Sequence, residues 1–269
     1  MKLSKEQIEI FEEKGFLLIE NYFSDKEIEC LINDIPATIK ENSPTVVKES
    51  NGGIRTIFAP ERESDVFKKV AKINKIVEPM KQLIGNGVYL YQSKINVKEG
   101  LLGEWWQWHQ DYYYWKREDN IPTSNIINFS IFLDDVDEFN GPMFIVPNTH
   151  KEEVNMVPND KMFLDSKNSL LSTEMQHVIK KQTLKKLINS KGGIFNAKGK
   201  AGTVLIFHGN ILHASNANLS PFDRKVLFLT YNDVNNTSTD SSNPRPSYIV
   251  NHDSSPIETI SDHELFELI

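Results

Sequence analysis

The stretch "GTVLIFHGNILHASNANLSPFDRKVLFLTYN" (residues 202–232) holds two apolar runs, "GTVLIF" and "RKVLFLTYN". Both are rich in Val, Leu, Ile, Phe, Thr and Tyr, and both are too short for typical helices. Gly202 and the Ser220-Pro221 pair bound them, so they read as strands. The same signature recurs upstream in "VYLYQSKINV", "NIINFSIFLDD" and "PMFIV", with Asn140-Gly141-Pro142 as a turn between runs. The first third of the chain has a different character. Ser4 with Gln7 and Ser24 with Glu27 are capping-box pairs that open helices. Gly15 closes the first helix, "FLLIE" follows as a strand, and the second helix runs to about residue 41. Residues 64–85 have helical periodicity, with Pro79 as a kink or break.

Helices followed by an all-β body predict a mainly β fold with supporting helices, built as a barrel or a double-sheet sandwich. Parallel α/β layering is disfavoured, because helices do not alternate with the later strands. No internal repeat or linker interrupts the 269 residues, so residues 1–269 are expected to form a single domain. Its parts are helical support over 1–86, a β core over 87–234 and an irregular tail over 235–269. The polar, Lys-rich stretch 151–200 reads as an insertion or lid carrying a helix at 172–189.

Composition narrows the function. The net charge of -7 argues against nucleic-acid or anionic-membrane partners. No run approaches 18 apolar residues, so no membrane span is expected. The N-terminus "MKLSKEQIEIFEEKGF" mixes charges and lacks the apolar core of a secretion signal. Cys30 is the only cysteine and excludes an intramolecular disulfide. It reads as a buried structural thiol on a helix. The expected address is a reducing cytoplasm.

The chemistry is concentrated in "WWQWHQDYYYW" (105–115). In a strand, His109 and Asp111 would project to the same side and could share a metal. A buried charged hydrogen bond between them explains the pair equally well. His213 is a third candidate ligand and His208 a competitor at the end of "GTVLIFH". Two His and one carboxylate form the facial set that leaves open positions on a non-haem Fe(II). His150 reads as a turn-stabilising hydrogen bonder, and His177, His252 and His263 as solvated. Arg224 follows His213 by eleven residues. Alternation puts Arg224 on the face of Val226 and Phe228, where a guanidinium needs a partner. A dicarboxylate such as 2-oxoglutarate would supply one through a bidentate pair; a surface arginine at a strand start is the alternative. In "VYLYQSKIN", alternation groups Val88, Leu90, Gln92, Lys94 and Asn96 on one face, which either meets solvent or lines a polar cavity.

Together, "WHQD…W", "NGPMFIVPNTH" and "GTVLIFHGNILHASNANLSPFDR" resemble the phytanoyl-CoA dioxygenase superfamily of Fe(II)/2-oxoglutarate oxygenases, with likeness to its ectoine hydroxylases and bacterial free-amino-acid hydroxylases. The resemblance spans most of residues 10–235. It implies a double-stranded β-helix, the cupin-like jelly roll. It implies His109, Asp111 and His213 as ligands of Fe(II), with O2 and 2-oxoglutarate at the remaining positions. Arg224 would clamp the distal carboxylate of 2-oxoglutarate, and Gln92 and Ser215 fall at cosubstrate contacts. Asn96, Trp115, Phe207 and Phe228 match substrate-pocket positions in type. With Asp111 present, hydroxylation is implied rather than halogenation. The implied substrate is a small free amino acid or similar zwitterion. A carrier- or CoA-bound acyl group, a non-catalytic jelly-roll binding module and a zinc hydrolase are the other readings. The sequence departs from the ectoine hydroxylase pattern after the H-x-D, at "YYYWKREDNIP", and in the tail, where His252 stands for an expected arginine.

Overall fold

The capping signals act where the sequence places them. A computed structural model of the chain describes residues 2–40, 42–85, 87–159, 175–239, 242 and 244–265. Helix α1 (Lys5–Lys14) opens on a reciprocal Ser4–Gln7 capping box and ends at Gly15, whose φ of 80° is left-handed. Strand β1 (Phe16–Ile19) follows, and α2 (Asp25–Thr38) opens on the Ser24–Glu27 box. After the short strands β2 (Val46–Lys48) and β3 (Ile54–Phe58), the expected 64–85 helix appears as two: α3 (Asp65–Val70) and α4 (Asn74–Ile84). The break lies at 71–73 rather than at Pro79, which sits inside α4. A proline there frees the carbonyl four residues back. That carbonyl, of Lys75, accepts a hydrogen bond from the buried Tyr22 hydroxyl, so the helix continues.

The β body follows. Strands β4 (Val88–Lys98) and β5 (Trp106–His109) precede α5 (Asp111–Glu118), β6 (Ile126–Phe132) and β7 (Met143–Val146). A hairpin of β8 (Met156–Pro158) and β9 (His177–Ile179) comes next, then α6 (Lys181–Ser190) and β10 (Phe195–Ala197). Strands β11 (Val204–His208), β12 (Leu212–Ser215) and β13 (Arg224–Asp233) complete it. The large antiparallel sheet has the order β1-β11-β6-β13-β4-β3-β2, and the small one β10-β7-β12-β5. Phe132, Leu205, Phe207, Val226 and Phe228 of the large sheet pack against Ile145 and Ala197 of the small one. This is the expected mainly β jelly roll with helical support.

Both faces of the large sheet are covered. Ile127, Phe129 and Ile131 of β6 join helix residues Leu31, Phe67, Ile76 and Met80 in one core, while Phe132 turns to the other sheet. That is why every residue of β6 is buried and its sequence reads as continuous rather than alternating. Cys30 is buried in the helical core, and burial pushes its thiol pKa up, as for a structural thiol.

Two expectations for the insertion change. Its helix begins at Lys181 rather than 172, after the short strand β9. Residues 195–197 pair with β7 and belong to the body, so the excursion is narrower than 151–200. Residues 160–174, on which the lid expectation largely rests, lie outside the described residues. The tail is irregular as expected up to a short 3-10 turn at Asp262–Leu265, although it reaches back into the body.

Candidate active site

His109 and His213 are brought together by sheet register. They are direct partners across β5 and β12, and their ring centroids lie 4.2 Å apart. Each ring has its Nδ1 at the carbonyl two residues before it, 2.6 Å to Gln107 and 3.0 Å to Ile211. The Nδ1–H donates there, which leaves Nε2 with a lone pair facing the interior. Burial and the neighbouring His109 hold the pKa of His213 down at about 4, so its imidazole is neutral at pH 7, as ligation requires.

Asp111 joins them by a different route from the one the spacing suggested. It is not on the strand with His109; β5 ends at His109 and Asp111 is the first residue of α5. The strand-to-helix turn at Gln110 swings the carboxylate back toward the histidines. One Asp111 oxygen lies 3.4 Å from His109 Nε2 and the other 3.9 Å from His213 Nε2. The three side chains each offer a ligand atom, all within 4.8 Å of one another. Gln110 pins the turn: its amide nitrogen donates to the carbonyls of Asn210 at 2.5 Å and Glu152 at 2.8 Å, and its oxygen accepts from Val154 N–H. Burial alone would raise the Asp111 pKa. His213, His109 and Lys94 reverse that and hold the carboxyl well below the usual carboxylate range.

The large sheet orients this carboxylate. Asn128 of β6 donates its amide N–H to Asp111 at 3.0 Å, and its oxygen accepts from the Thr230 hydroxyl of β13 at 2.6 Å. The imidazoles therefore come from the small sheet, while the large sheet holds the carboxylate. His208, the competing ligand candidate, lies elsewhere: its ring is 5.4 Å from that of His150, and burial lowers its pKa to about 4.

All ten candidate residues line one cavity between the sheets: Gln92, Asn96, His109, Asp111, Trp115, Phe207, His213, Ser215, Arg224 and Phe228. Arg224 is buried and donates to the backbone carbonyls of Asn140 (3.4 Å) and Gly141. Among the described residues no carboxylate lies within ion-pair distance of it. Burial lowers its pKa to about 10, so it stays charged at neutral pH. Trp115 stands edge-on to Tyr91 at 5.5 Å and packs over Gly209, where a Cβ would come within 2.5 Å of the indole. Phe207 lies 5.3 Å from the His213 ring and 6.3 Å from Phe228. Asn96 accepts from Thr56 Oγ1 at 3.0 Å, and Gln92 donates to the Ile249 carbonyl of the tail at 2.8 Å.

The alternation expected for β4 holds only in part. The pairing with β13 slips between Thr230 and Tyr231, where Gln92 and Leu90 are the partners and Tyr91 is extra. The bulge reverses the faces. Val88 and Leu90 meet the helical core together with Ile95, whereas Gln92, Lys94, Asn96 and Lys98 face the cavity.

Sequence reasoning missed several lining groups. Arg245, from the tail, pairs with Asp119 (Nε to carboxylate 2.7 Å) and with Glu118 at 2.9 Å, and Asp119 also accepts from the Tyr91 hydroxyl. Lys98 donates to the carbonyls of Glu104 (2.6 Å) and Asn216, and burial with the nearby Arg224 holds its pKa well below the ordinary value. Nothing in the Ser- and Asn-rich tail marks Arg245; its only sequence signal is a cation in an otherwise uncharged stretch. Tyr114 and Met175 also line the cavity; Tyr114 donates to the His177 carbonyl, which docks the β8–β9 hairpin near its mouth.

This arrangement can hold a divalent transition metal on one face, with open positions toward a cavity lined by aromatic and cationic side chains. Comparisons with known proteins agree. The family model for phytanoyl-CoA dioxygenase matches residues 11–226. Ectoine dioxygenase of Bordetella bronchiseptica is 32% identical over 259 residues, covering 92% of this chain and 82% of that protein. L-proline trans-4-hydroxylase of Streptomyces griseoviridis is 31% identical over 255 residues, covering 93% and 94% respectively. The crystal structure of EctD from S. alaskensis with 2-oxoglutarate and 5-hydroxyectoine superposes with a TM-score of 0.80 at 27% identity, covering 96% of this chain and 88% of that one.

Proposed function

The chain belongs to the phytanoyl-CoA dioxygenase family, and from that premise we propose that it is an Fe(II)/2-oxoglutarate-dependent hydroxylase of a small free amino acid or similar zwitterion. The observation that carries the reading is the conjunction, in one cavity, of the His109–Asp111–His213 set and the buried, carboxylate-free Arg224. A zinc hydrolase would use the first and has no need of the second. The donor set fits iron: two neutral imidazole nitrogens and one ionised carboxylate oxygen, with each His oriented through its other nitrogen. His109, Asp111 and His213 would hold the metal. Once bound, iron with 2-oxoglutarate and O2 supplies the oxidising power to hydroxylate an unactivated C–H bond, with succinate and CO2 as coproducts.

The protein's own part is placement. The Arg224 guanidinium, fixed by the Asn140 and Gly141 carbonyls, presents its remaining N–H groups to the distal carboxylate of 2-oxoglutarate. Ser215 and Gln92 flank the cosubstrate. Phe207, Phe228 and Trp115 exclude water and, with Asn96, shape the space for the substrate. Aromatic walls suit a compact substrate carrying an ammonium group. The relatives, one named for ectoine and one for L-proline, support this substrate class.

The test is succinate formation from 2-oxoglutarate under air with Fe(II) and, separately, Zn(II). Substrate-stimulated succinate with iron alone is expected. Activity with zinc and independence from 2-oxoglutarate would reverse the assignment to a hydrolase. Binding without turnover of any candidate would make the chain a binding module.

A further inference from the structure

Four cationic side chains line the cavity: Lys94, Lys98, Arg224 and Arg245. Three have partners. Arg245 is paired with Glu118 and Asp119, Lys98 is tied to two backbone carbonyls, and Arg224 to two others. Lys94 has none among the described residues, neither a hydrogen-bond acceptor nor a carboxylate in ion-pair range. Its ammonium lies 5.7 Å from the centroid of the Phe228 ring. It lines the same cavity as His109, Asp111 and His213. Lys94 is partly buried and lines the cavity; an ammonium held there without an acceptor is unfavourable, and a divalent ion in the same cavity would add to that. The site is short of an anion at this position.

Resting on the function proposed above, we infer that Lys94 receives the carboxylate of the amino-acid substrate and so restricts the enzyme to substrates with a free carboxylate. Register on β4 separates this anion from the cosubstrate. Lys98 is opposite Arg224 and Lys94 opposite Phe228, four residues away, or about 13 Å along a strand. The carbon chain of 2-oxoglutarate has four C–C bonds of about 1.5 Å and spans about 5 Å. A 2-oxoglutarate whose distal carboxylate is held at Arg224 would keep that carboxylate away from Lys94. Arg245, the other cation at that end, is already neutralised by two carboxylates.

The experiment compares the wild-type chain with Lys94→Met and Lys94→Arg, metal-loaded and with 2-oxoglutarate. Binding of the free proteinogenic amino acids and ectoine is measured by calorimetry, together with the carboxamide of each hit. Wild-type hits are expected to carry a carboxylate and to lose about 30-fold or more in affinity as carboxamides. Lys94→Met should bind acid and amide alike, Lys94→Arg should retain part of the preference, and 2-oxoglutarate affinity should change by less than about three-fold. Lys94→Met should melt no lower than wild type, since it removes an unpaired, partly buried cation. An undiminished acid-over-amide preference in Lys94→Met would overturn the inference. So would a loss confined to 2-oxoglutarate, a hit without a carboxylate, or a lowered melting temperature. Absence of 2-oxoglutarate turnover in the wild type is a separate result: it refutes the proposed function itself, and the inference with it.

Discussion

Asn128→Ala removes the one side-chain hydrogen-bond donor, among the described residues, that ties the Asp111 carboxylate to the large sheet. Asn128 is 2% exposed, and its oxygen is the acceptor for the Thr230 hydroxyl, so water does not readily replace it. A hydrogen bond to a charged group is worth about 1.5–3 kcal/mol. At about 1.4 kcal/mol per decade, that is roughly 10- to 150-fold in the affinity of any ion held by this carboxylate. Loss of an orienting partner of a metal ligand costs a similar 10- to 100-fold or so. The assay is Co(II) titration followed by visible absorption, with the melting temperature of the metal-free protein measured in parallel. Metal affinity should fall by one to two orders of magnitude while the fold is retained. Unchanged metal affinity in a folded variant would refute the claim that the Asn128–Thr230 pair orients a ligand.

Other consequences concern the anchor, the walls and pH. Arg224→Met should weaken 2-oxoglutarate binding by about 30-fold or more, read by calorimetry on the metal-loaded protein, with little effect on metal affinity. Gly209→Ala puts a Cβ within 2.5 Å of the Trp115 ring; it should cost about 1–3 kcal/mol in urea denaturation and raise the substrate KM as the indole shifts. His208 and His213 have folded-state pKa values of about 4, below the ordinary 6.5. The unfolded chain therefore binds more protons between these values, and metal-free stability is full above about pH 6.5 and falls toward pH 4. Denaturation midpoints at pH 7 and pH 5 test this; a flat profile would contradict it.

The fold was legible where local chemistry is decisive. Both capping boxes and the Gly15 stop need only adjacent residues, and the β runs carry their own turn signals. Periodicity failed where a single residue breaks the period. The extra residue at Tyr91 reverses the faces of β4, and a one-residue insertion leaves no compositional mark. The H-x-D pair converges with His213, but not along one strand as alternation implies. His109 and Asp111 converge through a turn that Gln110 secures by contacts with residues some 40 to 100 positions away, which spacing cannot express. Pro79 reads as a kink or break from sequence because the Tyr22 hydroxyl that satisfies the freed carbonyl is 53 residues away from it in the chain. Alternation placed Lys94 with Gln92 and Asn96 on a face that could line a cavity, and it does; the cavity cation Arg245 was illegible because it lies in a tail without periodicity.

The function proposed above, with an iron that His109, Asp111 and His213 would hold, requires O2 to be divided between 2-oxoglutarate and a small amino acid. Its most direct test is turnover under isotopically heavy O2 in ordinary water, with mass spectrometry of succinate and of the amino-acid product. The account predicts one heavy oxygen in each, in equal amounts, both lost in Asp111→Ala. Label absent from the amino acid, or its full retention in that variant, would contradict it.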